Sequence, residues 1–420
     1  MLIRIVTALA AATLFTIPAV AADPAPTPSE AVEMLPIGFA PGGLSGPGGE
    51  RLRADLEQAQ FIALGEDHGF AGSPLLGQAL AHDAAAIAQR QDAGPLYHAV
   101  EVGPHTVQWV AAQIETGGLD ALGAGLAGRP WAMPFLSNVE DAALAAPFAI
   151  AGRLWGIDQE FVGAPSLLLD ILAARTKDAG TRKRLADWRR KDDGALAAGK
   201  FDAIMTATAA PEDFADLRKA FVGDAEAQAI VDDLAETTRI YRLNNSGQFL
   251  QNNEERAALM QRTFLTAYRA APTKAPRVLL KMGANHIGRG TTPTSIYDLG
   301  SLLPGLAAAN GRTAVHIAYL PLGGSARSIK PSPGAFTAIG AYADDTVGPI
   351  LDAAGIARDR IPIDGHVLIP IAPLRHLLQG KKLRELPAYS RFTLLGFDYL
   401  VTTRGAEPAT HFEARRPAVR

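Results

Sequence analysis

The sequence predicts an α/β fold: a central, mostly parallel sheet flanked by helices, with an inserted helical subdomain. Three observations predict it. Short apolar runs recur, and each ends in an acid or in a glycine-flanked turn carrying a histidine, the pattern of strands whose carboxyl ends meet a ligand. Stretches of helical length separate those runs, which is the alternation of βαβ units. Between residues 166 and 271 the alternation stops, and the chain is alanine-rich, charged and without a convincing strand.

The elements follow in order. Met1 to Arg4 is a short basic start, Val6 to Ile17 is apolar, and Ala19-Val20-Ala21 is a small-x-small cleavage site, so residues 1–22 read as a signal peptide. The apolar run is too short to span a membrane, and no later run approaches the ~20 residues required. A periplasmic or secreted protein with no integral membrane segment after cleavage is expected. Residues 23–50 form a lead-in rich in proline and glycine, with folded structure from Arg51.

Arg51 to Gln58 reads as a short helix, Phe61 to Leu64 as the first strand and Ser73 to Arg90 as a helix. Tyr97 to Glu101 is a second strand ending in a carboxylate, Pro104 to Glu115 a helix, and Arg153 to Ile157 a third strand followed by Asp158. After the insert come a strand at Arg277 to Met282, a helix at Ser295 to Asn310 and a strand at Thr313 to Tyr319. Pro321 to Glu385 has no readable period, and Phe392 to Val401 reads as a last strand interrupted by Gly396. The division is 51–165 and 273–405 for the two parts of the α/β domain, 166–272 for the helical insert and 406–420 for a tail.

Composition removes several function classes. With no cysteine there is no disulfide, no thiolate nucleophile and no lipid attachment at a signal-peptide cysteine. The net charge of -3 argues against a broad nucleic-acid surface, and the cluster Arg182 to Arg184 with Arg189 to Lys191 reads as a solvated helix face. The expected partner is a small-molecule substrate. There is no G-x-S-x-G elbow, H-E-x-x-H helix, P-loop or G-x-G-x-x-G after a strand. Chemistry therefore falls to water activated by imidazole, carboxylate or a bound metal.

The candidate site starts at Gly65-Glu66-Asp67-His68-Gly69, where an acid and an imidazole lie just past a strand. In a parallel sheet the tips at Glu66, Glu101 and Asp158 all point to one edge. A second half-site is Gly283-Ala-Asn285-His286-Ile-Gly-Arg289-Gly290, whose glycines suit oxyanion stabilisation or an anion site. Arg256 projects from the amphipathic stretch Asn252 to Leu265 to hold a carboxylate or polarise a carbonyl. The bland readings are a helix cap for Asp158, a surface salt bridge for Arg256 and a packed turn for His68. His98 falls in mid-strand, His82 and His376 on helices, His105 at a helix start and His411 in the tail, with His316 and His366 unassigned.

These residues resemble the erythromycin esterase-like family and its wider group of ChaN-like haem-binding and TraB-like proteins. The resemblance is carried by Leu64 to Gly69, similar to a G-E-x-x-H-G loop shortened by one residue, and by Trp155-Gly156-Ile157-Asp158. Asn253 to Met260, Asn285-His286 and Phe397-Asp398 complete it, so it spans nearly the whole expected mature chain. It implies a hydrolase cleaving an ester or related acyl bond through activated water. His68 is then the general base, Glu66 orients it, His286 assists or stabilises the oxyanion, and Glu101, Arg256 and Asn285 position substrate. The single residue between Glu66 and His68 is closer to the ChaN-like and TraB-like branches. Those imply haem, or a divalent metal on Glu66, His68, Glu101 and His286.

Overall fold

The computed structural model describes residues 32–414 apart from 333 and 334, so the expected signal peptide lies outside the described residues. The first elements of the described residues are a hairpin, β1 (Leu35–Ala40) and β2 (Gly43–Ser45), followed by α1 (Gly46–Leu56). Folded structure therefore starts before Arg51. The glycines of the expected lead-in make a turn: Gly43 lies at φ +117°, where a Cβ would also meet Asp83 Oδ1 at 2.5 Å.

β3 (Ala59–Glu66), α2 (Gly72–Arg90), β4 (Leu96–Val100), α3 (Pro104–Leu126), α4 (Val139–Ile150) and β5 (Leu154–Gly156) supply the first alternating run. α3 is longer than the expected Pro104 to Glu115 because it resumes after a break at Gly117 and Gly118. From α5 (Pro165–Arg175) the chain is helical through α6 (Ala179–Ala197), α7 (Met205–Thr208), α8 (Pro211–Ala220), α9 (Ala225–Asn245) and α10 (Phe249–Ala270). β6 (Arg277–Gly283), the one-turn α11 (Ala284–Ile287), α12 (Leu299–Ala309) and β7 (Thr313–Tyr319) then return to the sheet.

The segment without a readable period holds a separate hairpin, β8 (Ser325–Ser332) and β9 (Ala335–Ala341), followed by α13 (Val347–Ala354), β10 (His366–Pro370), α14 (Ile371–Leu377) and α15 (Lys381–Glu385). The expected strand Phe392 to Val401 is instead α16 (Ala388–Gly396) followed by β11 (Tyr399–Thr402). An unbroken apolar run has no decisive period, and here Phe392 and Leu394 bury against the core from a helix. The helix stops where Gly396 passes the Arg289 backbone, whose amide donates to the Gly396 carbonyl at 3.1 Å.

The main sheet has nine strands in the order β2-β1-β10-β11-β7-β3-β6-β4-β5. Every pairing from β11 to β5 is parallel, and the β2-β1-β10-β11 edge is antiparallel. The central strands are apolar on both faces because helices cover both. In β3, Phe61 and Ala63 enter one core while Ile62 and Leu64 enter the other. Register decides what meets at the carboxyl edge. Glu66 pairs with Gly283, Val100 with Lys281 and Val100 with Gly156, which brings the tips of β3, β6, β4 and β5 level.

Candidate active site

Six of the expected residues meet at this edge. Glu66 ends β3 and is buried, with its Oε1 3.1 Å from His68 Nδ1. The His68 imidazole is 42% exposed, and its Nε2 lies 3.9 Å from Glu101 Oε2. Glu101 follows β4 and is also buried. It accepts from the Gly283 amide at 2.7 Å and from Arg256 Nη2 at 2.8 Å. From the other side His286 places Nε2 3.4 Å from Glu101 Oε1, while its Nδ1 sits 2.7 Å from Asp298 Oδ2. Arg256 reaches this group from α10 and forks onto Asp158, Nε to Oδ1 at 2.9 Å and Nη2 to Oδ2 at 2.5 Å. Asn285 stands aside: its Nδ2 donates to the Tyr389 hydroxyl at 3.4 Å, and its Oδ1 has no hydrogen-bond partner among the described residues.

Two histidine–carboxylate pairs, His68–Glu66 and His286–Asp298, thus face a common carboxylate, Glu101. Their electrostatics follow from the contacts. Burial opposes the Glu66 charge, but the Lys281 ammonium and then His68 hold its pKa down to about 2. Glu101 is likewise held at about 2 against burial by His286, His68 and Arg256. Burial disfavours the imidazolium of His68, yet its hydrogen bond to Glu66 and the charge of Glu101 raise its pKa above the ordinary value. His286 is raised in the same way by Glu101 and Asp298.

Lys281 is a functional candidate that the motifs passed over. Its Nζ lies 2.8 Å from Glu66 Oε1 and 2.7 Å from Asp141 Oδ1, with all three side chains buried. A lone lysine inside the apolar strand Arg277 to Met282 was the available signal, since an unpaired buried cation is costly. Alternation places it on the β3 face that carries Glu66. Asp298 gave no signal: it caps α12 through the Leu299 amide at 2.7 Å, twelve residues after His286. Asp67 turns away from the cluster and accepts from the Tyr342 hydroxyl.

Six other histidines make contacts away from this cluster. His98 bonds the Leu279 carbonyl at 3.0 Å, and burial lowers its pKa to about 4. His316 is buried on the Ile287 carbonyl at 2.8 Å, and His366 meets the Tyr319 hydroxyl at 3.0 Å. His105 sits 3.0 Å from Asp233, His411 lies 3.5 Å from Glu413, and His82 bonds Asp83 at 3.1 Å.

The donor set does not fit a divalent ion. Among the described residues no group of three or more His, Asp or Glu has the geometry to hold one, and Glu66 and Glu101 already have cationic partners in Lys281 and Arg256. Both imidazole Nε2 atoms face the Glu101 carboxylate. Axial haem ligation instead needs an imidazole open to an apolar cleft.

Gly283 keeps this geometry open. A Cβ there would meet His68 Nε2 at 2.9 Å and Glu101 Oε2 at 3.3 Å, although its φ of -51° suits alanine. Gly283→Ala is expected to displace the His68 imidazole and leave the thermal midpoint nearly unchanged, and proton NMR of the histidine ring beside a melting curve checks both.

No family model matches the sequence, and no curated protein matches it by sequence. Solved structures do match. An erythromycin esterase variant in its open conformation aligns with a TM-score of 0.51 at 17% identity, over 86% of this chain and 94% of its own. A succinoglycan biosynthesis protein aligns with a TM-score of 0.51 at 13% identity, over 90% and 95%. The ChaN protein of Campylobacter jejuni, in a structure with cofacially bound haem, reaches a TM-score of 0.32 over 68% of this chain. Among the described residues no helix is long and apolar enough to cross a membrane. The chain has the fold seen in the erythromycin esterase.

Proposed function

We propose that this protein is a hydrolase that cleaves an ester or related acyl bond with water activated by His68. The observation that carries the reading is the His68–Glu66 pair opposite Glu101. Nδ1–H donates to Glu66, which leaves the Nε2 lone pair directed at a carboxylate 3.9 Å away, too far for a direct hydrogen bond and wide enough for a bridging water. A water held there loses its proton to Nε2 as its oxygen attacks the acyl carbon, and Glu66 stabilises the imidazolium that forms.

His286 lies across Glu101, protonated more readily than an ordinary histidine and oriented by Asp298. It donates toward the developing oxyanion and the leaving alkoxide. Arg256 holds Glu101 in place while being neutralised by Asp158. A fold shared with an esterase supports the choice of an ester.

The test is a panel of aryl, alkyl and sugar esters assayed with the wild-type protein and the His68→Ala and His286→Ala variants. His68→Ala is expected to lose roughly 10²–10⁴-fold in kcat/KM, the usual contribution of a general base. Full turnover by both variants on every accepted ester would sink the assignment.

A further inference from the structure

We propose that Phe135 is a positioning residue that fixes the His68 imidazole by covering one face of the ring. The role in turnover rests on the hydrolase reading above; the contact itself does not. The two rings lie with centroids 4.4 Å apart at an interplanar angle of 36°. The hydrogen bond to Glu66 holds one edge of the imidazole, but a ring held by one bond remains free to tilt about it. His68 is 42% exposed, so the surrounding protein supplies little further restraint. An aromatic face against the imidazole removes that freedom.

The backbone at Phe135 is strained. Phe135 lies between α3 and α4 at φ +55°, in the left-handed region that a bulky side chain rarely adopts. The turn itself would be better served by glycine or asparagine, and the half-buried phenyl ring packs both on the apolar cluster beneath α3 and α4 and on the His68 ring. Strain of this kind persists where surrounding contacts over-determine it, and it gathers at functional sites.

Those contacts are present. The Asn138 amide donates to the Phe135 carbonyl at 2.6 Å, and the Asn138 side chain donates to Asp141, the partner of Lys281, at 3.2 Å. The segment 407–411 then ties this turn to the loop that carries His68. Val139 N donates to Thr410 O at 2.8 Å, Ala409 N to Gly69 O at 2.8 Å and Ala71 N to Glu407 O at 3.0 Å. Phe135 and His68 are therefore braced by the same stretch of chain, which holds the ring against the imidazole at the expense of backbone comfort.

The prediction separates this role from simple packing. Phe135→Gly and Phe135→Asn relieve the backbone and are expected to keep the thermal midpoint within a few degrees. Their kcat on any accepted ester should fall at least about tenfold, with KM little changed. Phe135→Tyr should retain activity. Proton NMR of the His68 ring gives a readout that needs no substrate: its upfield ring-current shift should vanish in Phe135→Gly and persist in Phe135→Tyr. Unmoved His68 resonances in Phe135→Gly overturn the proposal, as does a loss of kcat that is matched by unfolding in both relieved variants. If the resonances move and no ester is turned over by the wild-type protein, the positioning contact stands and the hydrolase reading falls.

Discussion

Lys281→Met is expected to lower the unfolding free energy by about 3–5 kcal/mol, the cost of breaking a buried ion pair by removing one partner. Its ammonium lies between Glu66 and Asp141 at 2.8 and 2.7 Å, and the three side chains are at most 7% exposed. Removing the cation leaves two carboxylates facing each other in the core. Burial already raises the pKa of Asp141, and without Lys281 one carboxyl must stay protonated. Adding Asp141→Asn to Lys281→Met should recover part of the loss, since one buried charge goes with it. Denaturant unfolding of the two single variants and the double variant checks this, and additive losses would show that the three groups do not act as a unit.

Acidification is expected to abolish activity at a higher pH than it destabilises the fold. His68 must be neutral to accept a proton, and its pKa lies above the ordinary 6.5, so kcat/KM should fall on the acid side with a midpoint above that value. Stability follows the carboxylates. Glu66 and Glu101 are depressed from 4.5 to about 2, so their contribution is present above pH 4.5 and is lost as pH falls through about 2. A displacement of that size is on the order of 3 kcal/mol for one group; the two do not simply add, because both lean on His68. The raised histidines act oppositely: their stabilising contribution is full below 6.5 and is lost as pH rises through their higher folded values. A rate profile whose acid midpoint lies near 4 would remove His68 as the base, and circular dichroism over the same range follows the fold separately.

Much of the fold was legible because strand and helix periods are local. Ala59–Glu66 and Arg277–Gly283 are mainly apolar strands, and the glycine turns after them mark the sheet edge. The hairpin before Arg51 was not legible, because proline and glycine signal a turn without naming the strands it joins. Nor was α16, whose apolar residues fit either period. Its neighbour β11 pairs parallel with β7, and that register is a contact between residues some eighty positions apart.

The site divides along the same line. Glu66, His68, Glu101 and His286 could be named from residue type and place because a parallel sheet delivers strand ends to one edge, and Arg256 from its place on an amphipathic helix. Their pairing could not. Asp298 joins His286, Lys281 joins Glu66, and Phe135 covers His68 through contacts made across strands and loops. By itself the sequence determined the fold class, the strand-end chemistry and the absence of a thiol nucleophile. The tertiary structure decided which carboxylate each imidazole faces, since hydrogen bonds and charges act over a few ångströms of space, and register and packing set those distances.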